Sequence, residues 1–226
     1  MSDAGDVGDA GPRLVLATRN AHKVTELVRL LRPHVPGLAD GDVVAVSDLP
    51  ALGLPDPGEV VESGVTFAEN ALLKARAVAA ATGLPAVADD SGLCVAVMGG
   101  SPGIFSARWA GRHGDDAANL RLLLDQLVDV PDGHRGAWFE CAAAVVVPGT
   151  SGPGGGAAEE VATGRLAGTL VREPRGAGGF GYDPALVPDG GTRTCAELAP
   201  PEKDAISHRG QAMAALAPRL ARLLAG

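Results

Sequence analysis

Apolar and polar positions along this chain alternate between a strand rhythm and a helix rhythm. "LVLA" (14–17) is a short continuous apolar run of the buried-strand type, and "TRNAHK" (18–23) is a polar turn after it. Val24, Leu27, Val28 and Leu31 then recur at i, i+3, i+4 and i+7, predicting a helix that stops before Pro33. "VVAV" (43–46) predicts a second strand, and residues 47–65, rich in Pro, Gly and acid, read as loop. Thr66 and Glu69 form a capping-box pattern opening a helix through about Thr82, with Gly83 and Pro85 as stop signals. "PAVA" (85–88) predicts a third strand running into "DDSG", and "LCVAV" (93–97) a fourth. "GGSPG" (99–103) must turn sharply.

In the second half, Asp115 or Asp116 can cap a helix whose apolar face holds Leu120, Leu123, Leu124 and Leu127. "AWFECAAAVVV" (137–147) is the longest strand candidate. The Gly-rich stretch 149–158 reads as a flexible hairpin loop, because β-type sequence resumes in "EVATGRLAGTLV" (160–171). A last helix over about 205–225 presents Met213, Leu216, Leu220 and Leu223 on one face, with a kink expected at Pro218. Strands and helices mix without a repeating βαβ period. The fold class expected is therefore α/β: a mixed sheet flanked by helices, in two lobes with the site in the cleft between them.

At 226 residues the chain can bury a sizeable core; residues 13–226 are expected to form one domain after an acidic, Gly-rich, disordered tail over 1–12. No apolar run approaches the roughly 20 residues of a membrane span, and no secretory signal pattern opens the chain. Cys94, Cys141 and Cys195 are odd in number and far apart, which points to a reducing, cytoplasmic setting. The net charge of −8 argues against duplex nucleic acid or an anionic membrane as partner. An anionic ligand must then meet a local basic cluster. Lys23, Lys74 and Lys203 are the only lysines among 19 basic residues, and each retained Lys points to a need for a compact point charge.

Five segments could carry chemistry. A polar turn at a helix N-terminus suits phosphate, with Thr18 and Asn20 as neutral donors and Lys23 as charge; the Walker A spacing is absent. Asn70 and Lys74 share a helix face, and Glu69 goes first to the capping box. Asp89 and Asp90 suit an oxygen-coordinated divalent cation, but the motif in isolation reads first as a polar turn. Glu62 is a further loop carboxylate. In "PRGAGGFGYDP" (174–184) Phe180 and Tyr182 offer faces for a base, and in "EKDAISHRG" (202–210) Lys203, His208 and Arg209 are donors for its carbonyl oxygens near a helix start that Ser207 can cap.

"LVLATRNAHKVTEL", "ESGVTFAENALLKA", "VADDSGLCVAVMGGSPGIFSARWAG", "GGFGYDP" and "EKDAISHR", in that order, closely resemble the inosine/xanthosine triphosphate pyrophosphatase family from about residue 14 to the C-terminus. The resemblance implies hydrolysis of inosine, deoxyinosine and xanthosine triphosphates to the monophosphate and pyrophosphate, with Mg2+ as cofactor, a purine nucleoside triphosphate as partner, and a homodimer. Its phosphate turn falls on Thr18, Arg19, Asn20, Ala21, His22 and Lys23, and its helical phosphate lysine on Lys74. Its metal carboxylates fall on Glu62 and Asp90, with Asp90 also the general base and Ser91 a substrate contact. Its nucleoside pocket falls on Phe180, Gly181, Tyr182 and Asp183, with Lys203, His208 and Arg209 near the base. Arg19 stands where the family often has Gly, His22 where a small residue is frequent, and Ala96 where an Asp is common. The rival readings are a Maf-like pyrophosphatase acting on other nucleotides and a nucleotide-binding regulator without catalysis. A dehalogenase-type phosphatase is weaker, because its motif wants Asp-x-Asp.

Overall fold

The structure is a computed structural model that describes residues 11–35, 41–149 and 156–225, apart from the side chains of Ala21, His22, His34 and Ala225. Most of the expected tail, through residue 10, and residues 150–155 of the Gly-rich loop lie outside the described residues. Among the described residues, β1 (Leu14–Leu16), β2 (Val43–Ala45), β3 (Ala86–Val95), β4 (Gly136–Val147), β5 (Ala158–Leu170) and β6 (Leu186–Pro188) form one sheet in the order β2-β1-β3-β4-β5-β6. β1 runs parallel to β2 and β3, while the β3–β4, β4–β5 and β5–β6 pairs are antiparallel. The sheet is mixed and flanked by helices α1 (Ala21–Leu31), α2 (Phe67–Thr82), α3 (Asp116–Gln126), α4 (Pro200–Ile206) and α5 (His208–Ala225), as the pattern predicts.

Side-chain alternation along the strands sends successive residues to opposite faces. Leu14 and Leu16 join a core with Leu27 and Leu31 of α1 and Met213, Leu216 and Leu220 of α5. Val15 joins the core on the other face with Ala71, Ala75 and Val78 of α2. A third cluster packs Leu123 and Leu127 against Leu93, Phe139 and Leu186. Helix ends follow their local chemistry. Thr66 caps α2 by accepting from Glu69 N at 3.1 Å, Asp115 caps α3 by accepting from Ala118 N at 3.0 Å, and Gly83 closes α2 in the left-handed region at φ 70°. The Glu69 carboxylate does not close the reciprocal half of the capping box; it accepts from Val65 N at 2.6 Å instead.

Three expectations are corrected. The two strands expected around "DDSG" are one strand, β3, which pairs with β4 at every residue from Ala86↔Val146 to Val95↔Ala137. A polar turn there would forfeit that ladder, and alternation instead places Asp89 and Asp90 on opposite sides of the strand. The stretch 47–65 is not all loop, since Val46–Leu52 winds into a 3-10 helix with the Asp48 carboxylate accepting from Ala45 N at 2.9 Å. The last helix is two helices that meet at Ser207, whose extended backbone ends α4 and whose Oγ accepts from Gly210 N at 2.9 Å to cap α5.

Two close approaches set the site. β1 pairs with β3 only at Ala86 and Val87, with Ala17 N donating to Val87 O at 2.7 Å, so among the described residues the stretch of β3 around Asp89 and Asp90 has no strand neighbour on that side until a single bridge joins Cys94 to Pro102. Gly164 of β5 lets α5 lie against the sheet: a Cβ there would sit 2.1 Å from His208 O and 2.7 Å from Ala212 N. Gly164→Ala must push α5 outward and should lower stability by about 1–3 kcal/mol, read as a shift of the urea midpoint. A wild-type midpoint would show that α5 is not seated this closely.

Candidate active site

Where β1 ends and β3 runs on, the structure opens a cleft of about 780 Å³, in the crevice where open α/β sheets bind ligands. The turn between β1 and α1, the segment before α2, the centre of β3, the 180–183 loop and the α4–α5 junction all contribute to its wall. Every expected site residue lines it except Ala21 and His22, whose side chains lie outside the described residues. Lys23, Lys74 and Lys203, remote in sequence, share this one cleft.

The adjacent carboxylates have separate partners. Asp89 is 2 % exposed and receives Lys23 Nζ at 3.2 Å and Arg209 Nε at 3.1 Å on Oδ2. Burial pushes its carboxyl pKa up, but Lys23, Arg209 and Lys74 outweigh burial and hold it far below the usual carboxylate range. Asp89 therefore stays an anion. Asp90 accepts from Lys74 Nζ on Oδ1 at 3.1 Å and from Asn70 Nδ2 on Oδ2 at 3.2 Å. Here burial raises the pKa, Lys74 opposes it, and the Glu62 charge adds to it; the net shift is upward. Two neighbours of one type are thus driven in opposite directions, the usual mark of a site that separates a fixed charge from a proton acceptor.

Lys74 Nζ also donates to Glu62 Oε1 at 2.9 Å. The Asp90, Asp89 and Glu62 charges overcome burial and raise its pKa, so the ammonium persists. Glu62 is lowered in spite of burial by Lys74, Lys23 and Arg108, which lies 3.6 Å away. Two carboxylates from separate elements therefore converge on one cationic centre through hard oxygen donors. That donor set fits Mg2+, which takes one or two protein carboxylates and completes its shell with water and phosphate oxygens.

The far end of the cleft is built differently. Lys203 Nζ donates to Asp183 Oδ2 at 2.6 Å and stands 5.3 Å from the centre of the Phe180 ring. The same Asp183 oxygen accepts from Phe180 N at 2.8 Å, so one carboxylate orients both loop and lysine. His208 stacks on Phe139 with 4.9 Å between ring centres, and its Nδ1 has no hydrogen-bond partner among the described residues. Burial, then Arg209 and Lys203, push its pKa well down, so the ring is neutral.

Two of the cleft side chains are also engaged deep within the protein. The Tyr182 ring is packed in the third core cluster and its hydroxyl donates to Ser106 O at 2.9 Å, so Phe180 is the more open of the two aromatic faces. Arg209 is 2 % exposed and donates to Asp89, to Glu26 Oε2 at 2.7 Å and to Ser91 Oγ at 2.9 Å. All three of its nitrogens are engaged within the protein, because a buried guanidinium requires acceptors around its whole fork.

Sequence reasoning missed three contributors and left a fourth without a role. Glu26 holds Arg209, Arg108 faces Glu62, and Asp116 accepts from Gly181 N at 2.9 Å, while Asn70, noted in sequence only as sharing a helix face with Lys74, links Asp90 to Gly64 N. Asn70 carried the clearest signal, as a rare Asn one helical turn before Lys74. Glu26 carried a weaker one, as an acid three residues after Lys23 on the helix whose apolar face is buried.

Residues 14–219 match the model of the Ham1 family. The chain belongs to the Ham1 family. It is 59% identical over 216 residues to a dITP/XTP pyrophosphatase of Streptomyces coelicolor, covering 94% of this chain and 98% of that protein. To a dITP/XTP pyrophosphatase of Nocardia farcinica it is 54% identical over 211 residues, covering 93% and 96%. Among solved structures, it matches a nucleoside-triphosphatase / dITP/XTP pyrophosphatase from Mycobacterium abscessus at 50% identity with a TM-score of 0.69, over 91% of this chain and 98% of that one. A HAM1 protein from Coxiella burnetii aligns at 39% identity with a TM-score of 0.76, over 93% and 99%. Ham1 proteins of known structure thus share the mixed sheet.

The opposite pKa directions separate Asp89 from Asp90 in stability. Asp89→Asn leaves Arg209 and Lys23 facing a neutral amide and should destabilise the protein at pH 7 by about 3 kcal/mol. Because the native Asp89 pKa lies below the unfolded value of about 4, this contribution is present above pH 4 and fades as the pH falls below it. Asp90→Asn removes a carboxylate whose ionised form is disfavoured in the fold, so stability at pH 7 should stay within about 1 kcal/mol of wild type or rise. Urea unfolding of both variants at pH 7 and pH 3.5 checks this; equal losses at pH 7 would contradict it.

Proposed function

We propose that this chain hydrolyses inosine, deoxyinosine and xanthosine triphosphates to the nucleoside monophosphate and pyrophosphate, with Mg2+, so clearing these purines from the nucleotide pool. The observation that carries the reading is the convergence of all three lysines on the cleft that holds the Asp89–Asp90 pair. The dITP/XTP pyrophosphatase names of the Streptomyces and Nocardia relatives support the substrate class.

Cleavage between the α and β phosphates needs neutralised phosphate oxygens, an in-line water and a stabilised leaving group. Within the cleft Lys23 and Lys74 are matched by Asp89, Asp90 and Glu62, so a triphosphate brings an uncompensated excess of negative charge. Glu62 and Asp90 would hold Mg2+, which supplies that neutralising charge when bound. Lys74 and Lys23 reach the phosphates from α2 and from the first turn of α1, whose N-terminus adds its backbone N–H groups. Asp90, with its raised pKa, orients the attacking water and takes its proton. Asp89 remains ionised and holds Lys23 and Arg209 in place.

The base lies between the Phe180 ring and the neutral His208, near Lys203. Inosine and xanthosine offer a 6-keto acceptor there, whereas adenine offers an amino donor that faces the Lys203 donor unmatched. Such a mismatch costs about 1–3 kcal/mol. The cytoplasmic setting and the homodimer belong to the same reading. The former is supported by three buried free cysteines, and the latter by the family resemblance alone.

Ion chromatography of products with Mg2+ should show pyrophosphate from inosine triphosphate, released at least about five-fold faster than from adenosine triphosphate at equal concentration. Orthophosphate as the product would instead indicate a terminal phosphatase. Asp90→Asn should lower kcat by about 100-fold or more, the usual size of a general-base contribution; full turnover in this variant would remove Asp90 from the chemistry.

A further inference from the structure

The segment from Pro55 to Glu62 crosses one side of the cleft without helix or strand, yet it must deliver the Glu62 carboxylate to Lys74. Leu54, just before it, packs on the α2 side of the sheet, and Glu62 is held by Lys74 and Arg108. Between those two points, among the described residues, the side-chain polar contacts reaching the segment from outside come from one residue, beside a local backbone bond from Ser63 N to Val61 O at 3.0 Å. A single nitrogen of Arg19, Nη2, donates both to Gly58 O at 3.1 Å and to the Asp56 carboxylate.

The two acceptors are prepared for this donor. Asp56-Pro57-Gly58 folds into a tight turn in which Asp56 Oδ1 accepts from Gly58 N at 2.8 Å. Gly58 sits in the left-handed region at φ 76°, a conformation that favours glycine. The turn thereby presents its carboxylate and its last carbonyl to one guanidinium. Arg19 projects from the turn directly after β1, which is fixed to β3 through Ala17 N. One end of the contact thus sits on the sheet and the other on a segment with no secondary structure.

We propose that Arg19 is a positioning residue that straps the Asp56–Gly58 turn to the β1–α1 turn and so holds the Glu62 segment in place across the cleft. Arg19 acts through the segment, and Asp56 is its counterpart. The catalytic consequence rests on the role given to Glu62 above; the strap itself does not. An exposed ion pair is worth little to global stability. Its effect therefore falls on the local freedom of residues 55–62.

Hydrogen exchange of the unliganded full chain tests the strap, using Arg19→Ala, Asp56→Ala and the double variant. Each single variant should raise exchange in the peptide spanning 54–64 by about 3- to 10-fold, with the double variant no faster than the faster single one, and Arg19→Lys should recover part of the protection. Both single variants should also raise KM for inosine triphosphate by a similar factor. Wild-type exchange in Asp56→Ala overturns the proposal. So does a raised KM in Arg19→Ala with a normal or lowered KM in Asp56→Ala, the pattern of an arginine that contacts phosphate directly. If the exchange results hold while the wild-type protein releases no pyrophosphate, the strap stands and the reading of function fails.

Discussion

A guanidinium buried between two carboxylates is the interaction on which the rest of the site depends. Arg209 opens α5, yet it reaches Asp89 on the central strand, Glu26 on α1 and Ser91 beyond Asp89. Removing its acceptors would leave a buried charge unpaired, so the fold is obliged to keep three elements in one arrangement. Glycine at position 164 makes this possible by letting α5 lie against β5. The arrangement also fixes His208, one residue earlier, against Phe139.

With Asp89 committed to Arg209 and Lys23, its neighbour acquires a different character. Asp90 faces the other side of the strand, where Lys74 must serve both it and Glu62. One ammonium is shared between the two carboxylates, and the Asp90 pKa, raised by burial and by the Glu62 charge, goes up while that of Glu62 falls. The division of labour between fixed anion and proton acceptor follows from strand alternation and a shortage of positive charge. It needs no difference in residue type.

The cleft has a rigid side and an adaptable one. Asp89, Asp90 and Ser91 sit on a strand paired along its whole length, and Asn70 and Lys74 on a capped helix. Glu62 and Phe180 instead come from segments without regular structure, each tied by a few polar contacts: Glu62 through Lys74 and Arg108, Phe180 through Asp183. Asp89, Asp90 and Lys74 thus sit on the regular side, where placement is close.

The apolar rhythm by itself determined most of the element order, though not the short β6 and α4, as well as the faces of α1, α3 and α5 that enter the core and the caps at Thr66, Asp115 and Gly83, because these depend on residues within a turn or two of one another. Ordered motifs also determined the family and the set of lysines and carboxylates belonging to one site. Only the tertiary structure decided how those groups divide. "DDSG" is a turn by its own composition and a strand because β4 pairs with it from end to end. Arg209 resembles a ligand contact in sequence, but in the fold its nitrogens go to Asp89, Glu26 and Ser91, one of them 183 residues away. Which aspartate is driven down in pKa and which up depends on the charges packed around each, a property of the packing of β1, β3, α2 and α5 that no local stretch of chain contains.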